Sequence, residues 1–136
     1  MANTIELEVV TPDRQVFSEQ VEFFSLRGLG GELGVLPGHI PLFTGVQPGV
    51  LKYKRDGGGE GWITVMGGFL DVQPKKATVL ADAAERGEEI DALRAQQAKE
   101  RAEIRISREN QVDAEVDLKR ALIRLKAVEL AGKIRH

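Results

Sequence analysis

Glu85-Arg86-Gly87-Glu88-Glu89-Ile90-Asp91-Ala92-Leu93-Arg94-Ala95 is the stretch that decides the fold, because the residue pattern of the chain changes there. Before this junction, short apolar runs alternate with glycine and proline turns, as is typical of strands. After it, about forty residues contain no proline and one late glycine, and their apolar spacing predicts helices. The sequence pattern therefore predicts a fixed base of strands and a thin pair of helices that moves against this base.

The composition argues against disulfide-stabilised, membrane-inserted and nucleic-acid-binding proteins. A chain of 136 residues forms one domain or two small ones, and a hydrophobic share of 42% is enough for a core. With no cysteine there is no disulfide, thiolate chemistry or cysteine-metal site, which fits a reducing compartment. Since the sequence has neither a membrane-length apolar run nor a signal-peptide pattern, we expect a soluble protein without membrane insertion. A net charge of −2 argues against nucleic-acid binding.

The two parts of the chain differ in charge. Residues 1–89 hold 8 basic and 13 acidic side chains, whereas residues 90–136 hold 11 basic and 8 acidic ones. The helical part is therefore basic and the strand part acidic, which favours folding of the helices onto the base or contact with another acidic surface or an anion. A solvated helix face of mixed charge is the alternative interpretation of the same counts.

The first half has the pattern of an antiparallel β-sandwich. Ile5, Leu7 and Val9 alternate with glutamates at the period of a half-buried strand, and a proline-containing turn follows at Thr11–Arg14. Turn residues then recur at short intervals, as in small sandwiches and barrels. Further strands are predicted at Val21–Leu26, Glu32–Val35, Ile40–Phe43, Gly49–Lys54, Trp62–Val65, Phe69–Val72 and Ala77–Leu80.

Nothing in the sequence predicts an enzyme. The glycine-rich run Gly28–Gly34 lacks the Gly-Lys-Ser/Thr ending of a phosphate-binding loop, so its glycines suit a tight turn instead. His39 has no second histidine at metal-ligand spacing and is interpreted as a turn or contact residue. No Ser/His/Asp set, paired carboxylate site or metal cluster is evident, so we expect no catalytic residue and no metal site.

The second half predicts an antiparallel helical hairpin. The first helix starts within Glu88–Asp91 and ends near Arg108, a polar break follows at Glu109–Gln111, and Asp113 or Asp117 opens the second helix. A leucine-rich stripe on the second helix faces a poorer, alanine-rich one on the first, so few large side chains are buried. Such a hairpin is unstable alone and needs the base or a ligand. The stripe on the second helix is Leu118, Ala121, Leu122, Leu125 and Val128.

Four arginines of this hairpin form a candidate anion site. Arg120 and Arg124 lie one turn apart on the second helix, and Arg94 and Arg101 share a face of the first. Antiparallel packing brings the end of the second helix beside the start of the first. Several guanidiniums and a helix N terminus then meet, which is a favourable arrangement for phosphate.

Two carboxylates at the junction suit the other end of a nucleotide. Asp91 and Glu85 can accept hydrogen bonds from an amino group such as that of adenine. The competing interpretation is that the arginines are ordinary exposed residues of a solvated helix pair. The residues alone leave both interpretations open.

Several longer motifs connect the chain to a known family. They are Val9-Val10-Thr11-Pro12-Asp13, Gly31-Glu32-Leu33-Gly34-Val35-Leu36-Pro37-Gly38-His39-Ile40-Pro41-Leu42, Gly67-Gly68-Phe69-Leu70-Asp71-Val72 and Ala83-Ala84-Glu85-Arg86. With these motifs and the helical tail, the chain resembles the epsilon subunit of bacterial F-type ATP synthase over its whole length. The resemblance implies an α+β fold, with a β-sandwich over residues 1–86 and a two-helix hairpin over residues 87–136.

The resemblance also implies partners and a location. The sandwich would bind the gamma subunit and the membrane rotor ring of c subunits, with Glu32 and His39 at or near the ring. The extended hairpin would reach the catalytic alpha/beta head and inhibit ATP hydrolysis. The protein would lie peripherally at the cytoplasmic face of the bacterial plasma membrane, in a proton- or sodium-translocating enzyme.

In nucleotide-sensing members of this family, ATP stabilises the compact hairpin through an Ile/Leu-Asp-x-x-Arg-Ala motif, which Ile90-Asp91-Ala92-Leu93-Arg94-Ala95 matches in full. ATP, with or without magnesium, would be a regulatory ligand and not a catalytic cofactor. The ATP-binding residues that the resemblance implies are Glu85, Ile90, Asp91, Arg94, Ala95, Arg101, Arg120 and Arg124.

The resulting hypothesis is a non-catalytic stalk subunit that couples the ring to the head and senses ATP. Two alternatives stay open. One is a purely structural stalk subunit that binds no nucleotide, and the other is a stand-alone nucleotide-hydrolysing enzyme, which the missing phosphate-binding loop and metal cluster disfavour.

Overall fold

The computed structural model describes residues 3–109 and 112–135, and the side chains of residues 3–106 and 114–131. Within these residues nine strands come first, a 3₁₀ turn follows at Gly87–Glu89, and two helices come last. This order confirms the predicted α+β fold. The strands are β1 Ile5–Val10, β2 Gln15–Gly28, β3 Gly31–Val35, β4 Leu42–Val46, β5 Gly49–Arg55, β6 Glu60–Val65, β7 Gly68–Val72, β8 Lys76–Ala81 and β9 Ala84–Arg86, and the helices are α1 Ala92–Glu109 and α2 Val112–Arg135.

The long strand β2 holds the sandwich together. Its first part pairs antiparallel with β1, and its second part pairs antiparallel with β3 and β5. The order in the sheet is β1-β8-β7-β4-β2-β5-β6-β9, and β1 pairs in parallel with β8. Because β2 pairs with both β4 and β1, the sheet folds over on itself around one core.

The core is aliphatic, with few aromatic side chains. Ile5, Leu7 and Val9 are fully buried, whereas the glutamates between them are partly exposed, which confirms the period-two pattern of β1. Phe17 packs on Tyr53 with ring centroids 4.5 Å apart. Each fully buried side chain of this size contributes roughly 1.5–3 kcal/mol to folding. The sandwich is therefore the well-stabilised part of the molecule.

Strand β2 is longer than the sequence predicts. It begins at Gln15 rather than at Val21, and the bounds of the predicted strand cover less than half of it. The reason is that Val16 and Phe17 are buried in the core and continue the antiparallel pairing with β1. A shift in register near Glu22 lets the strand bend from one neighbour to the next.

Two other strands also differ from the prediction. β4 covers Leu42–Val46 rather than Ile40–Phe43, because Ile40 lies in the preceding loop with 75% of its surface exposed. β9 was not predicted, since three residues are too few to show a period. It forms by antiparallel pairing with β6 and delivers Glu85 to the start of the helical region.

The two helices begin and end close to the predicted positions. α1 starts at Ala92, just after the predicted start within Glu88–Asp91, and ends one residue past Arg108. Residues 110–111 of the predicted polar break lie outside the described residues. α2 begins at Val112, ahead of both predicted openings. Over the described residues, neither helix is both long and apolar enough to cross a membrane.

The fully buried side chains between the helices are alanines, and the predicted stripe on α2 is only partly buried, apart from Ala121. Leu122 is 45% exposed, so the predicted stripe is wrong at that position. Leu93 and Ile104 are 67% and 51% exposed as well. Small side chains let two helix backbones approach closely, but they bury little apolar surface, so this hairpin gains little free energy from its own packing. The buried side chains of the described helical residues are Ala95, Ala102, Ala114, Ala121 and Ala127.

Helix α2 holds the hairpin against the base, and α1 packs mainly on α2. The contacts of α2 are with β5, β6 and the 3₁₀ turn. A Cβ atom added to Gly87 would lie 3.2 Å from the carbonyl oxygen of Trp62 and 3.6 Å from that of Ala127. The contact with Trp62 is tight and the one with Ala127 is an ordinary van der Waals contact, so a side chain at this position would require a small shift of the backbone.

Candidate functional site

An open cleft of about 290 Å³ lies where the junction meets the two helices. Seven of the eight residues predicted to bind ATP line it, and Arg120 is the exception. The cleft draws side chains from β9, from the segment before α1 and from both helices. This junction cleft is lined by Glu85, Glu89, Ile90, Asp91, Arg94, Ala95, Ala98, Arg101 and Arg124.

A second cleft of about 250 Å³ lies between the helices and contains Arg120. It shares Ala98, Arg101 and Arg124 with the junction cleft, so the two clefts adjoin and form one groove. Their volumes together lie in the range of sites for small organic ligands. This helix cleft is lined by Ala98, Arg101, Ala102, Arg105, Asp117, Arg120 and Arg124.

Three arginines of the groove carry charge that no carboxylate balances. Arg94, Arg101 and Arg120 form no ion pair with any side chain in the described part of the chain. Arg105 differs, because its guanidinium lies 2.9 Å from a carboxylate oxygen of Asp117. The groove lining holds five arginines and four carboxylates, and the guanidiniums without an ion pair are planar groups that suit phosphate.

Arg124 joins the hairpin to the sandwich. Its Nε atom donates a hydrogen bond of 2.6 Å to Oε1 of Glu85, which links α2 to β9. Both side chains are about one third exposed. A charge-assisted bond in a partly buried setting is stronger than an ordinary surface ion pair. The bond therefore contributes to the packing of α2 on the sandwich.

The 3₁₀ turn before α1 is fastened to the sandwich by ion pairs. Glu89 lies 3.3 Å from the guanidinium of Arg14 and 3.5 Å from that of Arg86. Arg86 also donates a 2.8 Å hydrogen bond from Nε to the carbonyl oxygen of Val16 and lies over the ring of Phe17, 5.5 Å from its centre. The turn therefore belongs to the base.

The start of α1 is occupied by a side chain of the protein itself. Oδ1 of Asp91 accepts hydrogen bonds from the backbone N–H groups of Leu93, at 3.0 Å, and Arg94, at 3.2 Å. The sequence predicts that this helix N terminus helps to hold phosphate. In the structure two of its N–H groups are bound by Asp91, so the arginines are the main donors for an anion.

Some groove residues were not identified from the sequence. Ala98 lies one turn after Arg94, so the helical period could have located it. Glu89 is part of the junction motif, but nothing in the sequence indicates that its carboxylate lines the cleft. Arg14, which lies outside the groove and pairs with Glu89, could not have been found, because the two are 75 positions apart and only the fold brings them together.

The residues predicted at the rotor ring lie away from the groove. Glu32 is exposed on β3, opposite Arg27 of β2. His39 is in the loop after β3, and its Nδ1 atom lies 2.6 Å from the carbonyl oxygen of Ile40. Neither residue lines either of the two clefts.

Exposed apolar side chains surround this loop and continue across the sheet. The rings of Phe43 and Phe69 stack with centroids 5.5 Å apart, and Phe69 pairs with Leu80 across β7 and β8. Leu29 covers Gly45, where an added Cβ atom would come within 3.1 Å of it. We call Leu29, Leu36, Ile40, Phe43, Phe69 and Leu80 the apolar surface; their exposure runs from 47% to 75%.

Comparison with known proteins assigns both halves of the chain to one family. The family model described as ATP synthase, Delta/Epsilon chain, beta-sandwich domain matches residues 4–87. The model described as ATP synthase, Delta/Epsilon chain, long alpha-helix domain matches residues 88–129.

In the described part of the chain, no group of three or more histidine, aspartate or glutamate side chains is arranged to hold a metal ion.

Solved structures agree with this assignment. A chain of the Euglena gracilis mitochondrial ATP synthase, in a structure of OSCP, F1 and c-ring, is 26% identical, with a TM-score of 0.74 over 96% of this chain and 82% of that chain. A chain of the Tetrahymena thermophila mitochondrial ATP synthase, in a structure of central stalk and c-ring, is 15% identical, with a TM-score of 0.56 over 93% and 95%. The second likeness shows the fold alone. The chain belongs to the delta/epsilon-chain family of ATP synthase and is a structural subunit of its central stalk rather than a catalytic one.

Proposed function

We propose that this stalk subunit is also a regulator, whose hairpin binds ATP in its compact posture and inhibits ATP hydrolysis by the assembled enzyme when it extends toward the alpha/beta head. The observation that carries the proposal is the set of three guanidiniums without carboxylate partners, Arg94, Arg101 and Arg120, along one groove. These side chains are exposed, and clustered guanidiniums of this kind attract an anion such as phosphate.

The groove has two chemically different ends. Arg101 and Arg120 lie between the helices, where they suit the phosphates, and Arg124 is near both ends. Ile90 and Ala95 offer apolar surface beside the junction, where the base of a nucleotide fits. Glu85 is in reach of that end, and its carboxylate retains an oxygen beyond the one that binds Arg124.

The magnitudes make regulation by a small ligand feasible. The hairpin buries alanines, so its own packing contributes little to its compact posture. A ligand at about 100 times its dissociation constant that binds only the compact posture adds about 2.7 kcal/mol. An amount of that size shifts the population of a marginally stable element from mostly open to mostly closed.

The sandwich is proposed to bind the gamma subunit and the c-subunit ring, with the hairpin domain beginning near residue 87. Its apolar surface is a row of exposed side chains that includes a stacked phenylalanine pair, and such rows mark protein interfaces. Glu32 and His39 are close to it in sequence and are proposed to contact the ring. The subunit would then lie peripherally, at the cytoplasmic face of a bacterial plasma membrane, in a proton- or sodium-translocating enzyme.

Calorimetric titration of the purified chain with ATP tests the regulatory part of the proposal. We expect saturable binding to the wild type and at least tenfold weaker binding to Arg101→Gln, because a charge-assisted contact contributes about 1.5–3 kcal/mol. Lys99→Gln is the matched control, since it removes the same charge from the same helix at a position outside both clefts. Absence of binding to the wild type would leave a purely structural stalk subunit.

An assay of phosphate release on the same sample separates the proposal from the enzymatic alternative. We expect bound ATP to remain intact, because the sequence lacks the phosphate-binding loop of nucleotide-hydrolysing enzymes. Steady phosphate release that tracks the purified chain would contradict a purely regulatory role.

The partner proposal has its own test, co-purification with the gamma subunit. Phe43→Ser should weaken capture, because Phe43 is 64% exposed and stacks on Phe69 at the centre of the apolar surface. Lys52→Ser is the control, since it changes an exposed residue of β5 outside that surface. Equal capture of both variants would move the gamma contact elsewhere on the sandwich.

A further inference from the structure

The aspartate of the junction motif has one carboxylate oxygen, Oδ1, engaged with the backbone of its own helix. Oδ1 of Asp91 accepts from the N–H groups of Leu93 and Arg94, at 3.0 and 3.2 Å. The carbonyl oxygen of Asp91 accepts from the N–H of Ala95 at 3.0 Å, which is the first bond of the helix. These are the bonds of an N-cap residue, and aspartate, asparagine and serine are the side chains that make them best.

No other group can replace this cap. The first turn of α1 contains no acidic residue. Ile90, just before the cap, is extended, with φ −79° and ψ 127°, so the chain turns abruptly into the helix at Asp91. Without the cap, the N–H groups of the first turn have only water as acceptor, and the turn frays.

The capped turn carries one of the anion-binding candidates. Arg94 is the third residue of α1, its backbone N–H is held by Asp91, and its side chain lines the junction cleft without a carboxylate partner. If the first turn frays, Arg94 loses its fixed position over the cleft. A ligand must then order these backbone dihedrals as it binds, which lowers its affinity.

We propose that Asp91 is a positioning residue that serves the site by capping α1, and so by holding Arg94 over the cleft, rather than by contacting the ligand. This inference rests on the proposed binding of ATP in the groove. Both oxygens of Glu89 lie near guanidiniums, those of Arg14 and Arg86, whereas Glu85 uses one oxygen for Arg124 and keeps the other for the ligand.

Two substitutions separate capping from contact. Asp91→Ser keeps the cap and removes the carboxylate, whereas Asp91→Glu keeps a carboxylate and is a poor cap. We expect Asp91→Ser to bind ATP within about twofold of the wild type, and Asp91→Glu and Asp91→Ala to bind about fivefold more weakly, which is the usual effect of losing a cap. The amides of Leu93 and Arg94 should exchange faster in Asp91→Glu than in Asp91→Ser without nucleotide.

The outcome that overturns the inference is the reverse order, with Asp91→Glu close to the wild type and Asp91→Ser weakened, because it would make the carboxylate a direct contact. Equal affinity of all four proteins would also overturn it. Failure of the proposed function looks different, since the wild type itself would then show no binding. Thermal unfolding of the sandwich, unchanged in every variant, confirms that a lost affinity is local.

Discussion

At the scale of single residues, the groove divides into side chains that are already paired and side chains that are not. Glu85, Glu89 and Asp91 have partners in the free chain, whereas Arg94 and Arg101 do not. The sequence motif could predict the residue types and most of their grouping. It could not predict the pairing, because the partner of Glu85 is 39 positions away and meets it only after α2 has packed against the base.

The bond between Glu85 and Arg124 should stabilise the compact hairpin without ligand. Glu85→Gln and Arg124→Gln should each speed amide exchange in α2, and the double variant should be no worse than the more damaging single one. A double-mutant cycle on exchange rates should give a coupling of about 1 kcal/mol, as for a good but partly exposed pair. Additive effects, with no coupling, would show that the bond contributes nothing.

At the scale of elements, the two helices bury mainly small side chains against each other. The sequence predicts two antiparallel helices and a poor apolar contact, and both are present. The alanine-rich stripe of α1 and Ala121 of α2 were predicted, whereas Leu122 was wrongly placed inside, because periodicity cannot tell which of two overlapping faces meets the partner helix. Packing on β5 and β6 decides the choice, and α2 turns its alanines inward.

A larger side chain among the buried alanines should open the hairpin. Ala121 is fully buried, so Ala121→Leu forces the helices apart at a cost of roughly 1–3 kcal/mol, typical of overpacking. Helical content by circular dichroism should fall at a lower temperature, with the sandwich transition unchanged. The control is Leu122→Ala, one residue along on the exposed side, where we expect a change within about 0.5 kcal/mol.

The contact at Gly87 should govern how α2 sits on the sandwich. Gly87→Ala places a methyl group against the carbonyl oxygens of Trp62 and Ala127, so we expect α2 to detach more readily and its amides to exchange faster. Gly30→Ala is a suitable control, because a Cβ atom there meets nothing within 4 Å. Equal protection of α2 in both variants would mean that the close approach is not needed.

At the scale of the whole molecule, a firm base carries a weakly held hairpin. The sandwich buries large aliphatic side chains, and β2 pairs with four other strands. The hairpin instead buries alanines and is joined to the sandwich by one ion pair and one close backbone contact. The 3₁₀ turn is bonded to the sandwich through Arg86 and Glu89, so on the proposed function the part that moves would begin after it, at Ile90–Asp91. The sequence placed the change of structure at this junction but could not show which side the turn belongs to.

Hydrogen exchange of the purified chain with and without ATP tests the central claim most directly. We predict that ATP slows exchange across α1 and α2 by about a hundredfold at saturating concentration, as a ligand energy of about 2.7 kcal/mol implies. The strands and the turn Gly87–Glu89 should be equally protected in both states. Helices that exchange at the same rate with and without ATP would contradict the account and leave a rigid stalk component.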